Sequence, residues 1–356
     1  MQKKLIALAI AGLSSTAFAQ STVTIQGLFD TGYQNYSLET AGVKTKTNRW
    51  GSASNTATTN LTFLVQEDLG AGMKAGLWLE SDPTTPGSSN TAGLWNSQNY
   101  LWLTGNFGKV SLGFMNNFAL TSALTAQPFG VGMGGGYSGF FGRLSGANVI
   151  GAPAAVAAGG AGARDIRANN SIKWDSPSWS GFTVGLLYRS PNSAGNAAAD
   201  ADGQTQVGLN YNNGPLNVSY AHSNILSNVN GGMNTGVTTN NLLGANYTFG
   251  TFTLYGGWTS SKNTGNTGGT ATVDARSTNI ALKWQATPTI AVMANVLKDD
   301  DKLAANQDRN LNALGLDYSM SKRTTAYVRW EDGDNDKANA VGGKFTRTAL
   351  GLRHAF

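Results

Sequence analysis

The sequence predicts an all-β fold, a transmembrane antiparallel β-barrel of sixteen strands with short periplasmic turns and long extracellular loops. Three observations predict it. The chain opens on an export signal, and no later apolar run reaches the roughly 20 residues a membrane helix needs. Its turn signals mark connections that are alternately short and long. Its last residue, Phe356, closes a strand-like run on that run's apolar face.

At the start, Met1 to Ala19 has basic residues at Lys3 and Lys4, an apolar stretch from Leu5 to Leu13 and a small-residue exit at Ala17-Phe18-Ala19. That is the form of a cleavable signal peptide. The chain therefore divides into a signal peptide, 1–19, and a barrel domain, 20–356, delivered to the cell outer membrane. Loss of the two lysines takes the formal charge from +5 to +3. The remaining basic residues are scattered, which argues against a nucleic-acid partner. There is no cysteine, so a disulfide framework, a thiolate metal site and a cysteine nucleophile are all excluded. With 46 glycines and no amphipathic helical stretch, the composition asks for strands and turns.

Along the chain, period-two alternation marks the strands. The short connections are Glu67 to Gly72, Asn106 to Gly108, Ser176 to Gly181, Asn212 to Pro215, Phe249 to Thr251, Thr287 to Thr289 and Ser319 to Thr324. The long ones lie near Ser37 to Thr47, Asp82 to Ser97, Asn116 to Ala163, Pro191 to Gly203, Asn224 to Val237, Lys262 to Val273, Asp299 to Gln307 and Asp332 to Gly343. Seven short and eight long connections join sixteen strands. The asymmetry has a physical origin, because the end of a barrel that crosses the membrane during insertion can carry little polar backbone. The least regular strand is the second, after Arg49.

Individual strands show two unlike faces. Phe182, Val184, Leu186 and Tyr188 alternate with Thr183, Gly185, Leu187 and Arg189. In the terminal run, Thr348, Leu350, Leu352, His354 and Phe356 share one face, and Arg347, Ala349, Gly351, Arg353 and Ala355 the other. Aromatics recur near strand ends, at Tyr211, Tyr247, Phe249, Phe252, Tyr318 and Trp330, as interfacial girdles do.

Several stretches resemble the general porin family of Gram-negative outer membranes, in its betaproteobacterial branch. VTIQGLFD (Val23 to Asp30) is similar to the family's first strand and NRWG (Asn48 to Gly51) to its second. QEDLGAGMKAGLWLE (Gln66 to Glu80), TGNFGKVSLG (Thr104 to Gly113), RANNSIKWDSPSWSGF (Arg167 to Phe182), SKRTTAYV (Ser321 to Val328) and the GLRHAF terminus continue the resemblance in order. It implies a homotrimer of barrels, each with its own water-filled pore. It also implies a third loop, here Asn116 to Ala163 (116–163), folded inward as a constriction, and Phe356 as the signal read by the barrel assembly machinery. Where family members commonly have Gly-Arg-Gln entering this loop, the chain has Gly113-Phe114-Met115, so one expected pore arginine is missing.

Motifs for other chemistry are poor. Gly130 to Gly135 fits G-x-G-x-x-G but lacks the flanking strand, helix and acid of a nucleotide site, and no cofactor is expected. His222 and His354 fall on outward positions of different strands, which leaves no triad or two-histidine metal site. Asp332, Asp334 and Asp336 have calcium-like spacing, but Lys337 and Gly343 replace the turn glycine and closing glutamate. That cluster reads as a solvated loop, with a weak cation contact to lipopolysaccharide as the alternative. No catalytic group is expected.

What remains is electrostatics in a pore. The alternation sends Lys74, Lys109, Arg167, Lys173, Arg189, Lys283, Arg329, Arg347 and Arg353 into the lumen, against Asp30, Glu80, Asp175, Asp317 and Glu331. From Asn116 to Ala163 there is no Asp or Glu, and Arg143 is the only charge. Arg49, Arg143, Arg164 and Arg167 are the candidate constriction residues. The expectation is a porin for passive diffusion of small hydrophilic solutes and ions that prefers anions, with lipid and lipopolysaccharide around it. The alternatives are a substrate-selective channel of the same fold and an adhesin without channel activity.

Overall fold

A computed structural model describes residues 21–40, 42–52, 59–82, 94–133, 167–190, 203–228, 234–265, 274–303, 308–335 and 343–356. The strands are β1 (Thr22–Thr40), β2 (Val43–Gly51), β3 (Asn60–Gly70), β4 (Met73–Ser81), β5 (Asn99–Gly105) and β6 (Gly108–Asn116), followed by a short helix, α1 (Phe118–Thr125). Beyond it come β7 (Arg167–Asp175), β8 (Phe182–Arg189), β9 (Gly203–Asn213), β10 (Leu216–Asn228), β11 (Asn234–Phe249) and β12 (Phe252–Gly265). The chain ends with β13 (Asp274–Gln285), β14 (Ile290–Asp301), β15 (Arg309–Ser319), β16 (Thr324–Asn335) and β17 (Lys344–Ala355).

Neighbours from β3 to β17 pair antiparallel in chain order, and β1 closes the ring by pairing Leu28–Glu39 with Ala355–Lys344 of β17. Closure leaves no open edge, as a lipid environment demands. The other edge of β1 carries β2 along Gly32–Thr40 and β3 along Thr22–Leu28. β2 and β3 are therefore two halves of one stave, and the seventeen segments make sixteen staves. Across the interruption, the Asp30 amide donates to Thr59 Oγ1 at 3.0 Å.

The seven short turns fall where the sequence puts them, and with Ser21 and Phe356, the first and last described residues, they define one rim, the turn end. At the other rim, the loop end, the strands run further than expected. The connection placed at Ser37 to Thr47 is only two residues long, because β1 continues to Thr40 and β2 resumes at Val43. Likewise β10, β12, β14 and β16 extend to Asn228, Gly265, Asp301 and Asn335, and the following strands resume at Asn234, Asp274, Arg309 and Lys344. Asp332 and Asp334 consequently stand on β16 rather than in a loop, while Asp336 and Lys337 lie outside the described residues.

The two faces are as unlike as the alternation requires. On β13 the inward residues Ala275, Ser277, Asn279 and Ala281 are buried, and the outward Ile280 and Leu282 are exposed. On β17 Leu350 and Leu352 point outward and Arg347 and Ala349 inward. Near the turn end a girdle of stacked rings runs through Phe249, Phe252 and Trp284, with Phe182 and Tyr211 paired at 4.2 Å between centroids. His222 and His354 both face outward, hydrogen-bonded to Asn241 and Thr324 respectively.

Candidate pore and its constriction

The third loop turns inward as soon as β6 ends. Asn117 caps α1 by accepting from the Leu120 amide at 3.2 Å, and the Phe118 amide donates to Gln206 Oε1 on β9 at 3.0 Å. A helix of eight residues was not foreseen, since FALTSALT has no polar face. It needs none. Phe118, Ala119, Leu120 and Ala123 are all buried, so the helix is packed inside the barrel rather than lying on its surface.

The wall is shaped to receive it. Gly185 and Gly208, opposite each other on β8 and β9, lie under the Phe118 ring, and Gly244 on β11 lies against the Ser122 carbonyl. A side chain at any of these three glycines would overlap the loop. Polar wall residues complete the fit by satisfying groups that a helix end leaves open. Ser219 meets the Ser122 hydroxyl at 3.0 Å, Asn246 donates to the Thr125 carbonyl at 2.9 Å, and Asn279 donates to the Ala126 carbonyl at 2.8 Å. Further on, Phe129 is buried against Met293 and Ala313, and Met133 against Tyr327 and Ala349. Residues 117–133 thus follow the inner wall from β8 round to β17. Arg143 and Arg164, like residues 1–19, lie outside the described residues.

Lumen charges divide into paired and unpaired. Along the loop-bearing wall, Arg309 and Asp299 form a buried pair at 2.9 Å, Arg329 and Arg353 share Asp317 at 2.5 and 3.0 Å, and Arg347 is paired with Glu331. Asp299 and Asp301 were assigned by sequence to a loop and Arg309 was given no lumen position; all three are inward residues of β14 and β15, which adds two acids and one base to the lumen. Lys173 contacts Asp175 at 3.5 Å and sits over the Phe118 ring at 4.4 Å. Arg167 lies at the loop end of β7, held by Asp82 at 3.1 Å and Asn116 at 3.2 Å. Arg189 is buried on β8.

The wall from β1 to β6 differs. Arg49 donates to Gln34 Oε1 at 3.2–3.3 Å, and Lys109 rests over the Tyr100 and Trp102 rings at 5.4 and 5.3 Å. Neither has a carboxylate within ion-pair distance among the described residues, nor has Lys74 at the turn end or Lys283 on β13. Here the acids take neutral donors. Glu80 accepts from Trp78, Ser97 and Gln98 at 2.6–3.0 Å, and Asp30 accepts from Tyr327 at 2.6 Å and from Ser52.

A family profile described as Gram-negative porin matches residues 5–338. The chain belongs to that family. This porin is 30% identical to outer membrane porin protein 32 of Delftia acidovorans and 27% identical to an outer membrane porin protein of Bordetella pertussis, each over the whole of both chains. It superimposes on a structure described as the anion-selective porin from Comamonas acidovorans with a TM-score of 0.80 and 26% identity, covering 95% of this chain and all of that one. A Vibrio cholerae outer membrane protein, OmpT lacking loop L8, shares the fold alone, with a TM-score of 0.68 at 17% identity. The porin is an outer-membrane, sixteen-stranded β-barrel channel and not an enzyme.

Proposed function

We propose that this porin passes small hydrophilic solutes and ions by diffusion with a preference for anions, and that its third loop sets the preference at a constriction shared by Arg49, Arg143, Arg164 and Arg167. One observation carries the reading. The basic residues Arg49, Lys74, Lys109 and Lys283 face the lumen without a carboxylate partner among the described residues, whereas most inward carboxylates are bound to arginine or lysine. Asp30 and Glu80 are instead ringed by hydrogen-bond donors. The loop, with no acid from Asn116 to Ala163, brings no carboxylate of its own to offset these cations. A partly desolvated lumen focuses such a field. The likeness to a porin described as anion-selective supports the same reading.

The barrel works as a homotrimer in this proposal, inserted after removal of residues 1–19. The outward face of β3–β6 supports it, with a shallow apolar groove lined by Val65, Ala75, Leu77, Leu101, Leu103 and Leu112. Reconstitution in a planar bilayer under a salt gradient tests conductance, three-step closure and ion preference together. Wild type should give an anion-selective reversal potential, and Arg143→Glu, a change of two charge units, should move it toward cations, most strongly at low salt. A cation-selective wild type, or an unmoved potential in Arg143→Glu, would refute the constriction.

A further inference from the structure

The outward apolar band gives way at the loop end to a belt of polar side chains, and one arc of that belt is basic. On β13 the outward residues read Trp284, Leu282, Ile280, Thr278 and Arg276 toward the loop end; on β14 they read Val292, Ala294, Val296, Lys298 and Asp300. On β12 they read Leu254, Gly256, Trp258, Ser260 and Lys262. Lys298 is therefore the first outward residue above the band on its strand, and Arg276 and Lys262 are the second on theirs.

The register sets these three cations side by side. Lys262 is opposite Asp274, Arg276 is opposite Ser260 and Asp300, and Lys298 is opposite Thr278. Each step from β12 to β14 thus shifts the cation two residues toward the turn end, which makes them diagonal neighbours about 7–8 Å apart. Strands of a membrane barrel tilt by roughly 35–45°, so a level line crosses neighbouring strands at a shift of about one residue. The edge of the apolar band descends in the same sense. Ile280 lies opposite Gly256, one outward position below Trp258; Val296 on β14 is level with Ile280; and Leu314 on β15 lies opposite Ala294, one below Val296. Lys262, Arg276 and Lys298 consequently form a nearly level row just above the band.

Two acids stand above the row and are already engaged, Asp274 with Lys262 at 3.3 Å and Asp300 with Lys302. Arg276 and Lys298 are exposed and form no ion pair among the described residues. A cation that faces away from the lumen at the upper edge of an apolar band meets headgroups, and there the complementary group is phosphate. We propose that Arg276 and Lys298, flanked by Lys262, bind a phosphate of an outer-leaflet lipid headgroup. The guanidinium supplies two parallel donors to phosphate oxygens, the ammonium a compact charge, and the outward Ser260, Thr278 and Asn310 further hydrogen bonds. On β16 the corresponding arc carries Asp332 and Asp334 instead, with Lys344 alongside, which bounds the site on that side.

Detergent-solubilised full-length protein, shown to be folded by its heat-modifiable migration, is titrated with lipid A carrying both phosphates, with dephosphorylated lipid A and with inorganic phosphate alone. Wild type should bind the phosphorylated lipid at least about tenfold more tightly than the dephosphorylated one, and bind inorganic phosphate negligibly. Arg276→Gln with Lys298→Gln should erase that difference, while Lys344→Gln leaves it within about twofold. Equal wild-type affinity for both lipids would overturn the site, as would an unchanged difference in the double variant. Inorganic phosphate binding as tightly as the lipid would overturn the headgroup assignment. Should the double variant misfold, the wild-type comparison of the two lipids and the single variant Arg276→Lys, expected to retain part of the preference, decide the matter.

Discussion

The inner wall has two halves that solve different problems. From β8 to β17 it is a seat: glycines where the loop comes closest, asparagines and serines where loop carbonyls and hydroxyls need partners, and arginines locked to Asp299, Asp317 and Glu331. From β1 to β6 it is a passage lining, where Arg49 and Lys109 lean on an amide and on aromatic faces rather than on carboxylates. The difference teaches that a lumen charge can serve either architecture or transport. Those that fix the loop side are neutralised in doing so, and those left for solutes are held by uncharged neighbours.

The sharpest way to break this division is Arg309→Gln. Its partner Asp299 is almost wholly buried and would keep its bond from the Ser277 hydroxyl but lose its cation, so removing one member of the pair should cost about 3–5 kcal/mol. The midpoint of denaturant unfolding reads this, and a loss as small as that of an exposed ion pair would place Arg309 with the transport charges. Next comes Gly244→Leu, which drives a side chain into the Ser122 carbonyl. Overpacking of about 1–3 kcal/mol is expected, together with an altered single-channel conductance as α1 shifts. An unchanged conductance with full stability would mean that the helix does not depend on its seat.

The smallest stability effect belongs to the passage side. Lys109→Gln should leave unfolding within about 0.5 kcal/mol of wild type, yet reduce anion preference measurably at low salt. Lys262→Glu, outside the barrel on β12, should leave the reversal potential unmoved. A larger shift from Lys262 than from Lys109 would contradict the assignment of the inner wall to selectivity.

Strand faces near the turn end were legible because one face meets lipid and the other water, as Phe182 to Arg189 show. Toward the loop end the rule fails, since both faces are polar. DARSTN, which starts β13, presents Ser277 and Asn279 inward and Arg276 and Thr278 outward, and carries no alternation to read. The same blindness hid Asp299 and Arg309, whose pairing runs across neighbouring strands and leaves no local spacing. α1 escaped for the opposite reason: six of its eight residues are buried and only Thr121 and Leu124 are exposed, so it shows no polar face and no helical period. Arg49 was singled out through the resemblance of NRWG to a family motif, and Lys109 and the other wall cations through their place in the alternation. Their division into paired and unpaired depends on register, which a single sequence does not print.

The barrel's last seam gives its final residue a further consequence. Phe356 exchanges two backbone hydrogen bonds with Gly27, at 3.0 and 3.2 Å, and its ring covers the bare backbone of that glycine. The seam joins the first and last strands, so it carries the largest sequence separation among the strand pairings and the largest loop-closure cost. Most other staves pair with the strand next to them in sequence, whereas this one needs the first and the last strand together. A chain cut short anywhere upstream keeps an open edge. The presence of the last strand is thereby converted into a physical property, a ring that shuts or does not.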